Sequence, residues 1–388
     1  MRWLTADIVF DGFDFHTDYY LQVDDIGMIR QVVHEKPKHE VNKLKGLLMP
    51  GMVNAHCHLE LSHYKGAIDQ KRGLSNFLQD VNQLNQDQAE EDKIQQAIQK
   101  ADADMQANGI VAVGDICNTS STMTVKKASN IHYHNFIECI AIREKDVERR
   151  FREYQEVYNK FNEEFEVSLA LHTPYTCHEE MYKRVNHHSD FISIHNQESE
   201  AENFLFQGEK GEFDNFYAHF GLNKGEIIKE DTNASSFMNS NRLLDSEKKK
   251  LFVHNTFSSK EDIAQLDDNS YWCFCPKANL YIEDKLPDIP LFLKHQDRIV
   301  LGTDSLASND SLSILSEVKV IQDNFPKIPL HQILQWATSN GAKLFGLTRS
   351  DARREKGSFA NGNFPGFVNV PDFDVKERKL INAEVVVV

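Results

Sequence analysis

Two histidines one residue apart are where chemistry first becomes legible in this chain. His56 and His58 sit in PGMVNAHCHLE, at the end of an apolar run that reads as a strand. Positions i and i+2 of a strand share a face, so both imidazoles are aimed at one point, as a metal requires. Cys57 faces the other way and is not expected to ligate. His195 in SIHNQES and Asp304 in LGTDS are candidates to complete the set. Three imidazoles and a carboxylate suit zinc or ferrous iron. Taken singly, each has a plainer reading: a satisfied core histidine for His195, a helix N-cap for Asp304. Taken together at strand ends, they favour the metal. Glu198, three residues after His195, is placed to move protons. Its plainer reading is a solvated first-turn glutamate, since Glu200 and Glu202 follow closely. His254 in FVHNTF stands open as a fourth ligand, a general base or a partner for a developing oxyanion.

Residues this far apart in sequence meet only if the fold gathers them. Eight β-rich runs alternate with helix-compatible segments: MPGMVNAHCHLE, GIVAVGDIC, HYHNFIECI, VSLALHTPY, FISIHNQES, KLFVHNTF, YWCFCPKANL and RIVLGTDSL. This is the layout of an α/β fold, a (β/α)8 TIM barrel, expected over 51–346, whose strands deliver their C-terminal ends to one mouth. Residues 1–50 and 347–388 read as short strands with Gly and Asp breaks, expected to pair into a small composite β-sandwich. The stretch 200–250 is long for one crossover and reads as a helical insertion with a mobile part. Loops after strands one, two and four, together with the 200–250 insertion, should set specificity, with Glu60, Phe77, Asp115, Glu138, His172 and Tyr175 as candidates.

Composition narrows the classes. The chain has 388 residues, 40% apolar and 26% charged, a globular balance. Its net charge of −16 disfavours nucleic acid and anionic membrane as partners. Six irregularly spaced cysteines, with no CxxC, read as free thiols of a reducing compartment. MRWLTADIVFDG does not read as a secretory leader, and no run approaches the ~18 apolar residues of a membrane span. A cytoplasmic protein is expected.

PGMVNAHCHLE, IHNQE, VHN, CPKANL and LGTDS, in this order over roughly 45–350, make the chain resemble the amidohydrolase superfamily. The resemblance is to its mononuclear-metal cytosine, guanine and adenosine-type deaminases. HCHLE and GTDSLASND are similar to deaminases of aminofutalosine-like and adenosine-like nucleosides. The resemblance implies that His56, His58, His195 and Asp304 hold one divalent metal, zinc ahead of iron. It implies that Glu198 relays a proton to a ring nitrogen, that His254 positions the attacking water, and that Asp304 accepts that water's proton. His172, in LHTPYT, stands where related deaminases contact substrate and where binuclear members carry a carboxylated lysine, so one metal is implied. Glu60 is an extra carboxylate, read equally as a substrate contact or as a cap of the following helix. FPGFVNV departs from the family's usual Pro-Gly-x-x-Ala-Asp-Leu run and puts the closing strand of the β-domain in question. The implied reaction is hydrolytic deamination of an aminopurine, nucleoside-like or related cyclic amidine. Ring dechlorination and cyclic amide opening are the alternatives. The implied partner is a small heterocycle, with homodimerisation left open.

Overall fold

The computed structural model describes residues 1–86, 90–219, 221–222, 234–348 and 356–388. Eight parallel strands form one sheet in strict sequence order: Met52–Cys57, Ile110–Cys117, His132–Cys139, Glu166–Leu171, Phe191–Asn196, Lys249–His254, Ser270–Phe274 and Ile299–Leu301. They are the eight runs expected from sequence. The first and last strands meet at the mouth through a parallel bridge, Cys57 with Asp304. Asn54 fastens this seam: its Nδ2 donates to Thr303 Oγ1 at 2.7 Å, and Thr303 N donates to its Oδ1 at 3.1 Å. Gly302 allows it, because a Cβ there would meet the Cβ of His56 and Cys273 Sγ at 2.8 Å. The glycine of LGTDS therefore brings His56 and Asp304 together.

Each strand is buried on both faces, as parallel strands covered by helices must be. Phe136, Ala170, Phe191, Leu251, Val253, Cys273 and Val300 pack together inside the barrel. The larger cluster lies between strands and helices. All six cysteines are buried and free.

The two ends of the chain form one seven-stranded mixed sheet. Arg2–Phe10 runs parallel to Val41–Pro50, which pairs antiparallel with Phe367–Val370. The departure at FPGFVNV thus still makes a strand. A two-stranded hairpin, Phe373–Asp374 with Lys379–Leu380, lies beside this sheet. Within the long crossover, helices cover Glu200–Phe206, Glu212–His219 and Ser236–Leu243. Of the mobile part expected around 231–250, residues 231–233 lie outside the described residues, while Ser236–Leu243 form a helix that buries Phe237 and Ser240. No described helix is long and apolar enough to cross a membrane.

Candidate active site

The strand ends bring four nitrogen and oxygen donors to one point. His58 Nε2 is 3.2 Å from His56 Nε2 and 3.2 Å from His195 Nε2. Asp304 Oδ1 is 3.4 Å from both His56 Nε2 and His58 Nε2. Donors bound tetrahedrally at 2.0–2.1 Å from zinc stand about 3.3 Å apart. The spacing is that of a metal cradle.

The surroundings fix which atoms face this centre. His195 Nδ1 donates to the His172 carbonyl at 2.7 Å, so its Nε2 lone pair points inward. Ser308 Oγ donates to Asp304 Oδ2 and leaves Oδ1 for the centre. Burial holds His58 well below the usual histidine range and brings His195 down to about 4. Both are neutral, the form a metal needs. Burial pushes the Asp304 carboxyl up, but the contact with His56 and the neighbouring imidazoles outweigh it, and it stays well below the ordinary range. Asp304 and His254 adopt left-handed backbone, φ 57° and 73°. Such strain costs about 1–3 kcal/mol per residue and collects at functional sites.

His56, His195 and Asp304 also group with His254 within 4.8 Å. His58 is the nearer fourth donor. Asn279 Nδ2 donates to His254 Nδ1 at 3.2 Å, which leaves the proton on Nε2, 3.6 Å from Glu198 Oε1. His254 therefore presents a donor to the site.

Glu198 is 6% exposed, not a solvated first-turn residue. Burial, followed by the charge of Asp304, pushes its carboxyl well above the usual range. Its turn is held by Glu202, which accepts from Gln197 N at 3.0 Å and Glu198 N at 3.2 Å. Sequence reasoning passed over Glu202 as one more surface acid; at 1% exposure it is part of the site's frame. Its neighbour Glu200 is exposed, as expected.

Glu60 does not cap the helix that follows. It lies within the 3-10 helix Leu59–Tyr64 and accepts from Asn118 N at 3.0 Å, Thr119 N at 3.2 Å and Thr119 Oγ1 at 3.1 Å. It ties the loop after strand two to the segment after the histidine pair. Asp115 is not a mouth residue. It shares a strand face with Val113 and Cys117, turned toward the helices, where Lys126 Nζ meets it at 2.5 Å. Its Oδ1 accepts from Leu59 N at 2.7 Å, steadying the chain just past His58. Lys126 was invisible in the sequence, because nothing in KKAS marks which lysine is buried.

Above the donors lies a cavity of about 1090 Å³. His58, His195, Glu198, His254 and Asp304 line it, as do Glu60, Glu138, His172 and Tyr175 and the apolar Phe77, Leu78 and Ile94. His172 Nδ1 pairs with Thr176 Oγ1 at 2.8 Å, and burial brings its imidazole down to about 4.

Residues 47–382 match the Amidohydrolase family. The chain is 29% identical over 327 residues to an adenosine deaminase of Helicobacter pylori, covering 80% of this chain and 77% of that one. Its fold superposes on the crystal structure of aminofutalosine deaminase from Helicobacter pylori with TM-score 0.80 at 23% identity, over 99% of this chain and 97% of the other. An adenosine deaminase from Xanthomonas campestris with bound zinc superposes with TM-score 0.73 at 19% identity, over 98% and 87%.

Proposed function

Since the chain belongs to the amidohydrolase family and is a hydrolase acting on carbon–nitrogen bonds, we propose that it deaminates an adenosine-type nucleoside by hydrolysis. We assign one divalent ion, zinc, to His56, His58, His195 and Asp304. The observation that carries this reading is the convergence of three Nε2 atoms and Asp304 Oδ1 at 3.2–3.4 Å beside a buried Glu198. The zinc-bound relative from Xanthomonas campestris supports the choice of metal.

A divalent ion in such a cradle lowers the pKa of water from about 15.7 to ~7 and so supplies a nucleophile at neutral pH. The chain's own residues do the rest. Asp304, held ionised, accepts the proton of the attacking water through Oδ1. Glu198, held protonated, gives a proton to the ring nitrogen next to the attacked carbon. That carbon becomes electrophilic only when its nitrogen is protonated. His254 Nε2–H donates to the oxygen as charge develops on it. The carbon–amine bond then breaks, the amine leaves as ammonia with a proton relayed by Asp304 and Glu198, and a ring carbonyl remains. Two buried carboxyls pushed in opposite directions divide the base and acid roles between them.

The test is ammonia release by the zinc-loaded protein from adenosine, 5′-methylthioadenosine, guanine and cytosine, with chloride release from a chlorotriazine in parallel. Ammonia from the adenosines is expected. Chloride release without ammonia, or no turnover of any adenosine, would refute the proposal.

A further inference from the structure

One buried acid at the mouth has no part in that reaction. Glu138, near the end of the third barrel strand, shares a strand face with His134 and Phe136 and so projects into the barrel. It is 3% exposed, lines the cavity, and its Oε1 has no hydrogen-bond partner among the described residues. Asn118 reaches its carboxyl from the side of strand two. His195 Nδ1 stands 3.7 Å from Oε1, but that nitrogen already gives its proton to the His172 carbonyl at 2.7 Å.

The same bond argues against a second metal here. Glu138, His172 and His195 place ligand atoms within 4.8 Å of one another. His195 would have to abandon the His172 carbonyl and ligate through both nitrogens to hold two ions. A buried carboxyl oxygen with no partner is costly, and it is kept where a ligand supplies the missing donor.

The order of the strands around the barrel says which part of the ligand that is. The reacting ring lies over Glu198 and His254, at the ends of strands five and six. Strand order sets His172, just past the end of strand four, between them and Glu138 at the end of strand three, and all four residues line the same cavity together with Glu60, Phe77, Leu78 and Ile94. The group that meets Glu138 is therefore the ring's substituent. We infer that Glu138 Oε1 accepts a hydroxyl of that substituent, so that the protein selects a ribosyl-bearing heterocycle over the free base. This rests on the deaminase reading and adds a specificity residue to it.

The experiment compares zinc-loaded wild type, Glu138→Ala and Glu138→Gln. Values of kcat/KM are measured for adenosine, 2′-deoxyadenosine, 3′-deoxyadenosine and adenine, and zinc affinity is measured by competition with a chromogenic chelator. In wild type, adenosine should exceed one deoxy analogue and adenine by roughly 10- to 100-fold. In Glu138→Ala the ratio to that deoxy analogue should fall to about one, through KM rather than kcat, with zinc affinity unchanged. Should Glu138→Ala fail to fold, Glu138→Gln decides: it keeps the shape and an uncharged acceptor, and its ratio should shrink several-fold. A ratio unchanged in the folded variants overturns the inference. So does zinc affinity falling in step with activity, which would make Glu138 a support of His195. Wild type that deaminates adenine as well as adenosine overturns it too, yet leaves deamination standing. Wild type that releases ammonia from none of the four removes the deaminase reading and this inference with it.

Discussion

The mouth beside strands five, six and eight and the region around strand two bury acids equally deeply and use them differently. On the side of strands five, six and eight, Asp304 and Glu198 keep oxygens facing a common centre, beside imidazoles that carry no structural load on those atoms. On the side of strand two, the acids are consumed by the protein itself. Asp115 is held by Lys126 and Leu59 N, and Glu60 by the backbone of 118 and 119. Desolvation alone therefore does not mark a reactive group. What marks it is an oxygen or nitrogen that the fold orients and leaves unspent.

The largest expected effect is on the reactive side. Asp304→Ala should lose most bound zinc and with it measurable turnover. A variant that keeps one zinc per chain by elemental analysis would make Asp304 an unspent base but no ligand. Glu198→Gln should keep its zinc and lose ~10²–10⁴ in kcat, the usual contribution of one acid–base group. A kcat within threefold of wild type would erase the distinction drawn for this acid.

On the structural side, Lys126→Met should leave the Asp115 carboxylate buried without a countercharge. Burial works against the Lys126 charge, and Asp115 restores it. Chemical denaturation should show a loss of about 3–5 kcal/mol, the range for breaking a buried pair from one end. A loss under about 1 kcal/mol would mean that the pair does not carry the loop after strand one.

The smallest effect concerns Glu202, whose carboxyl burial pushes up to about 7. The folded protein then holds a proton that the unfolded chain has released above its ordinary value of 4.5. Stability should fall as pH rises from about 4.5 to about 7, by up to about 3 kcal/mol, and then level off. Glu202→Gln should flatten that part of the curve. An unchanged slope would place the raised group elsewhere.

The reactive side was legible because its residue types are unusual where they stand. An HxH at a strand end, a glycine before TDS and an HxxE each break an apolar run with a group that has a chemical use. All eight strands could be read for the same reason, since each apolar run ends in such a break. The structural side was not legible. GIVAVGDIC and HYHNFIEC are buried on both faces, so their pattern cannot say that Asp115 turns toward the helices while Glu138 turns toward the barrel. Nor does ESEAENF distinguish the exposed Glu200 from the buried Glu202, because their environments are set by Ser236 and the turn at Gln197, distant in sequence or in geometry. The pairing of the two chain ends into one small β-domain was expected; that it takes the form of a single seven-stranded sheet depends on pairing across more than three hundred residues.

The most direct measurement is a crystal structure of the protein soaked in zinc. One ion should lie about 2.0–2.2 Å from the Nε2 atoms of His56, His58 and His195 and from Asp304 Oδ1. Saturating zinc that leaves this cluster empty, or an ion that binds His254 in place of His58, would contradict the arrangement of donors from which the chemistry has been derived.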